Sequence, residues 1–128
     1  HTGNMLTEEK DEFWEIVSKV INQEFTNSEF KTGQFYEKLK FPKDGKNRYT
    51  DEEIRARIKA AGFDSVANFI TDFRLNKGAS YLLSRPKDPI WKIAHSIGYK
   101  AHTHFSSQFK SKFGLKPFEY RKQYLKES

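Results

Sequence analysis

Ile90-Trp91-Lys92-Ile93-Ala94-His95-Ser96-Ile97-Gly98-Tyr99, followed by Phe105-Ser106-Ser107-Gln108-Phe109-Lys110-Ser111-Lys112-Phe113-Gly114, is the stretch on which the reading of this chain turns. Ile90, Ile93, Ala94 and Ile97 recur at helical spacing, and Gly98 ends that helix. Asp88-Pro89 ahead of it predicts an N-cap at Asp88 with the proline at the first helical position, where its missing N–H costs nothing. Phe105, Phe109 and Phe113 lie at i, i+4 and i+8 on one stripe of a second helix that Gly114 closes. A helix, a glycine that permits a sharp turn, and a second helix make the physical pattern of a helix-turn-helix, although a plain helical hairpin needs the same apolar spacing. With the phenylalanines inward, the outward set is His102, Thr103, Ser106, Ser107 and Lys110. Such groups reach base edges or phosphates in a major groove.

The rest of the chain is helical too. Thr7 begins a capping pattern, with Glu8, Glu9, Asp11 and Glu12 placed where carboxylates favour a helix N-terminus. Phe13, Ile16, Val17, Val20, Ile21 and Phe25 then extend an amphipathic helix over 7–25. A short helix fits 31–40, with Phe35, Tyr36 and Leu39 on its apolar side. Phe41 to Asn47 is punctuation, through Pro42 and Asp44-Gly45. Thr50 and Glu53 form a capping box opening a third helix, inward at Ile54, Ile58 and Ala61 and closed by Gly62. A long helix runs over 65–83, with Val66, Phe69, Ile70, Phe73 and Leu82 as its buried candidates, and Pro117 opens a last one through Tyr120, Tyr124 and Leu125. About seven helices without an alternating strand pattern predict an all-α fold. An internal repeat at an offset of 51 residues pairs Ile54 with Phe105, Ile58 with Phe109, Phe69 with Tyr120 and Phe73 with Tyr124. The glycines miss this register by one residue.

Length and composition bound the function. The chain has 128 residues, 36% of them hydrophobic and 31% charged, which fits one folded domain rather than a disordered tail. It has no cysteine, which removes disulfides, thiol catalysis and thiolate zinc sites. No apolar run is long enough for a membrane span and no secretory segment opens the chain, so the expected compartment is the cytoplasm. The net charge of +6 is unevenly placed. Residues 1–64 hold eleven basic and thirteen acidic side chains, whereas residues 65–128 hold twelve and four. A domain with its positive excess in one half suits an extended polyanion better than a small acidic substrate.

Arg74-Leu75, Ala79, Leu82-Leu83, Ile90-x-x-Ile93-Ala94-x-x-x-Gly98-Tyr99, Phe105-Ser106-x-x-Phe109-Lys110-x-x-Phe113-Gly114-x-x-Pro117-x-x-Tyr120-Arg121 resembles, in order and spacing, the DNA-binding domain of the AraC/XylS transcription regulators. The resemblance implies two helix-turn-helix subdomains joined by a long helix. The expected division is a first, atypical subdomain over 7–64, a linking helix over 65–83 and a second subdomain over 84–128, with 1–6 as a linker or tag remnant. It implies sequence-specific binding of double-stranded DNA as the output domain of a bacterial transcription regulator, with half-sites about 10–10.5 bp apart if both recognition helices dock. It also implies a sensor or effector domain on the N-terminal side, RNA polymerase as a candidate further partner, and no cofactor, metal or membrane. A sugar-responsive regulator and a two-component response regulator are both compatible hosts. The rival reading is a helical interaction module whose basic face binds an acidic partner.

Carried over by position, the base-reading candidates of the second unit are His102, Thr103 and Ser107, and the phosphate candidates are Lys92, Lys100, Ser106 and Lys110. Many relatives have arginine where this chain has Ser107, which removes a bidentate guanine contact. Trp91-Lys92 stands where relatives often have polar or acidic residues; Lys92 adds a phosphate contact if it faces the backbone, and an indole this near a helix start is expected to be packing. The first unit follows the family less closely, because the link from Phe41 to Tyr49 is longer than a usual 3–4-residue turn. Its recognition helix also opens on Asp51-Glu52-Glu53, carboxylates that repel phosphate unless they read cytosine amino groups. Either this unit contacts DNA, through Arg55 and Glu52 with Lys43, Lys46, Arg48 and Lys59 on phosphates, or it is a degenerate half that supports the second. The basic loop favours the first alternative.

Enzyme readings find no support in the motifs. His102 and His104 are two apart on a helix and cannot chelate one metal together. No P-loop, nucleophile elbow or dinucleotide fingerprint is present.

Overall fold

The computed structural model describes residues 2–41 and 48–125. Among them the chain is all-α, with seven helices and no strand: α1 (Thr2–Glu24), α2 (Thr32–Lys40), α3 (Asp51–Ala60), α4 (Val66–Ser84), α5 (Ile90–Ser96), α6 (His102–Phe113) and α7 (Pro117–Leu125). Two compact units form, one from residues 1–24 and 30–69, the other from 25–29 and 70–128. Helix α4 runs from the first unit into the second.

In the first unit, Phe13, Val17 and Ile21 of α1 are buried with Phe35 and Leu39 of α2 and Ile54 and Ile58 of α3. Aromatic edges close this core, with ring centroids 5.1 Å apart for Phe13–Tyr49 and 5.8 Å for Phe35–Phe69. The capping box of α3 forms as its sequence predicts. Thr50 Oγ accepts from the Glu53 N–H at 3.2 Å, and Glu53 Oε1 accepts from the Thr50 N–H at 2.9 Å.

In the second unit, Leu75, Ala79 and Leu82 of α4 pack with Ile93, Ala94 and Ile97 of α5 and with Phe105 and Phe109 of α6. Phe109 is the centre of a ring cluster, 5.5 Å from Phe105, 4.5 Å from Phe113 and 5.2 Å from Tyr120. Full burial of Phe105 and of Phe109 contributes about 1.5–3 kcal/mol each, enough to hold α6 down along one stripe. The two arginines of the family pattern serve the backbone. Arg74 donates to the carbonyls of Phe25 (3.1 Å) and Asn27 (2.8 Å), and Arg121 to those of Leu82 (2.9 Å) and Arg85 (3.1 Å) at the end of α4. Desolvation lowers both guanidinium pKa values below the usual arginine value.

The 51-residue repeat is structural as well. Thr50 and Ala101 are N-caps, and Ile54, Ile58, Phe105 and Phe109 are all fully buried. Because α6 outlasts α3 by two residues, the closing glycines leave the common register.

Three local expectations change. Helix α1 starts at Thr2, so Thr7 is inside it and the carboxylates of 8–12 follow its first turn. Met5 and Leu6 favour helix and nothing at Thr7 interrupts it. At α5 the N-cap is Pro89, in extended conformation, rather than Asp88. The Asp88 carboxylate instead faces Lys92 Nζ at 3.9 Å, and no side chain caps the helix. Ala61 is exposed, because α3 ends at Ala60 and Ala61 is its C-cap, beyond the inward stripe.

Candidate nucleic-acid interface

Burial of Phe105 and Phe109 leaves the opposite side of α6 to solvent. Thr103, Ser107 and Lys110 are exposed there at i, i+4 and i+7, which is one stripe of a helix. Ser111 continues the stripe four residues after Ser107 and is exposed too. It was absent from the expected set although the same periodicity reaches it. His102 lies three residues before Phe105, hence on the inward side by spacing, and is exposed because it is the first residue of the helix. Ser106 is half-buried at the edge of the stripe. His104 is exposed with its ring 5.4 Å from that of Tyr99.

The turn ahead of α6 is tightly built. Gly98 has φ +96°, and a Cβ placed on it would lie 2.3 Å from the Phe25 carbonyl oxygen and 2.7 Å from Arg74 Nε. Tyr99 is buried and its phenol donates to Gln108 Oε1 of α6 at 2.6 Å. Burial pushes the Tyr99 phenol up to about 12, opposed by the neighbouring Arg74 charge. Lys100, a phosphate candidate, is held by Glu29 at 2.7 Å, so a phosphate there has to displace a carboxylate. Its carbonyl accepts from His95 Nε2 at 3.2 Å.

Helix α5 presents Trp91, Lys92 and His95 outward. Trp91 is 52% exposed and meets His95 edge-on at 5.7 Å, so the indole is surface rather than core packing. By sequence the second unit carries twelve basic and five acidic residues.

In the first unit the acidic opening of α3 is less repulsive than its sequence suggests. Glu53 is engaged in the capping box and Asp51 pairs with Lys40 at 3.2 Å. Glu52 is exposed on the same helix as exposed Arg55 and Lys59. Arg55 lies 6.0 Å from the Tyr36 ring centroid, and both line a groove of about 290 Å³ with Lys59, Thr32 and Ser65. Arg48 is exposed, 5.8 Å from the Phe41 ring. Lys43 and Lys46 lie outside the described residues.

Known proteins share this architecture. The helix-turn-helix domain family matches residues 48–123. The HTH-type transcriptional regulator MtrA of Neisseria gonorrhoeae is 38% identical over 71 residues, which are 56% of this chain and 23% of that regulator. The chain thus spans less than a quarter of the length of this relative. The C-terminal domain of AraT, a response regulator from Geobacillus stearothermophilus, is similar with a TM-score of 0.68 and 28% identity, over 84% of this chain and 81% of that one. The C-terminal domain of the two-component response regulator yesN from Fusobacterium nucleatum has the same fold, with a TM-score of 0.68 and 20% identity over 84% and 95% of the two chains. The family match, covering α3 through most of α7, and the two helix-turn-helix units behind it make this chain a member of the AraC-type helix-turn-helix family, a DNA-binding domain of transcription regulators.

Proposed function

We propose that this domain binds double-stranded DNA sequence-specifically and that α6 is its principal reading helix. The observation that carries this reading is the exposed stripe of Thr103, Ser107 and Lys110 on a helix anchored by buried Phe105 and Phe109. Thr103 and Ser107 are short, so they read base edges only at close approach, and His102 reaches from the first turn. Lys110, Lys92 and Ser106 supply phosphate contacts that orient the helix, with Lys100 joining them when it leaves Glu29. In the first unit Arg55 and Glu52 read bases, and Lys59, Arg48, Lys43 and Lys46 neutralise phosphates.

Selection of bound sites from random duplexes, followed by titration of the preferred site and a scrambled duplex, tests this. Affinity should fall linearly with log salt, with a slope of about −0.9 per neutralised phosphate. Thr103→Ala or His102→Ala should reduce discrimination between the two duplexes by about 1–3 kcal/mol. Lys110→Ala should weaken both duplexes equally and reduce the salt slope by about one. Equal losses on both duplexes for all three variants refute the base-reading assignment. Arg55→Ala with an unchanged footprint removes the first unit from the interface.

A further inference from the structure

The base-reading helix α6 has no side-chain cap at its start: Ala101 is the N-cap and can offer none. What holds that start comes from a distant piece of chain. Residues 25–29, between α1 and α2 in sequence, belong to the second unit. Phe25 is buried in that unit's core, with its ring centroid 5.6 Å from that of Phe73. Its carbonyl and that of Asn27 each accept a hydrogen bond from Arg74, and Gly98 lies so close to the Phe25 carbonyl and the guanidinium that no side chain fits between. Two residues on, Lys100 is tied to Glu29 of the same segment. Gly98 and Lys100, two of the residues that carry the chain from α5 to α6, therefore rest on this segment.

We propose that the 25–29 segment, clamped by Arg74, is a positioning element for base recognition by α6, and that Arg74 is its positioning residue. The proposal rests on the reading of α6 as the base-reading helix. Arg74 holds the segment by the carbonyls of Phe25 and Asn27, and its guanidinium and the Phe25 carbonyl set the height of Gly98 and with it the first turn of α6, where His102 and Thr103 sit. A guanidinium reaches both carbonyls from one planar fork, which a lysine ammonium does not reproduce.

Two variants test this. Arg74→Lys keeps the charge and loses the fork. Asn27→Ala removes an exposed side chain that accepts from the Glu29 N–H at 3.0 Å and shapes the segment from outside the core. Each is titrated with the preferred duplex, with single base-pair variants of it and with a scrambled duplex, after a circular-dichroism melt has shown it folded. The expected result is about a tenfold loss of discrimination, the scale of one misread base pair, at the base pairs that Thr103→Ala affects, with scrambled-duplex affinity unchanged. Faster amide exchange at residues 105–108 of α6 should accompany it. If Arg74→Lys melts below the assay temperature, Asn27→Ala decides. Wild-type discrimination in the folded variants, or a loss spread evenly over all base pairs, overturns the proposal. If the unmodified protein shows no discrimination, the base-reading role of α6 fails, and the exchange measurement alone decides whether the segment positions the helix.

Discussion

Replacing Gly98 by alanine separates two costs that usually travel together. The first is conformational: at φ +96° an L-residue pays about 1–2 kcal/mol for the left-handed region. The second is steric. The new Cβ would stand 2.3 Å from a backbone oxygen, which cannot rotate aside as a flexible side chain would. The turn and the 25–29 segment must therefore separate, and the Arg74 bonds to Phe25 and Asn27 stretch with them. Losing one hydrogen bond of a charged group costs about 1.5–3 kcal/mol. Gly98→Ala should thus cost about 2.5–5 kcal/mol. Gly114 is the internal control, at φ +80° with nothing within 4 Å of its would-be Cβ. Gly114→Ala should cost only the conformational part, about 1–2 kcal/mol. Urea unfolding followed by circular dichroism compares the two, provided that both keep the wild-type denaturant slope. Destabilisations that agree within about 0.5 kcal/mol would refute the close-approach reasoning.

Burial holds the Tyr99 phenol neutral to about pH 12, whereas the unfolded chain releases that proton near its ordinary value of 10.0. The folded state thus holds more protons in that window, and the contribution is complete below about pH 10 and is lost as pH rises through about 12. Tyr99→Phe should flatten this alkaline loss relative to wild type and cost about 1 kcal/mol at pH 7 for the bond to Gln108; parallel stability profiles from about pH 9 to 12 would contradict it. Thr50→Ala should cost about 1 kcal/mol and Thr50→Ser almost nothing, because only the hydroxyl caps α3; thermal melts that fail to separate them would discount the cap.

The helices and their inward faces were legible in the residues because those signals are local. A 3.6-residue period put Ile93, Ala94, Ile97, Phe105 and Phe109 in the core, and Gly62, Gly98 and Gly114 marked turns that each take a positive φ. Thr50 and Glu53 stand three apart, the reach of a capping box. The outward stripe of α6 follows from the same period, which reaches Ser111 as well. Where local rules competed, they missed by little: α1 begins before its apparent cap, and Pro89 takes the cap expected of Asp88.

Ion pairs and carbonyl partners lie beyond any such period. Lys40 relieves the acidic opening of α3 through Asp51, Lys100 is occupied by Glu29, and Arg74, placed in the family pattern without a role, bonds a carbonyl 49 residues earlier in the chain. Each joins groups whose meeting depends on how helices pack, which spacing along a sequence does not encode. Residues and their order thus establish an all-α, helix-turn-helix chain and the polar face of α6. Packing alone reveals that charges near the starts of α3 and α6 are already engaged and that residues 25–29 complete the unit to which α6 belongs.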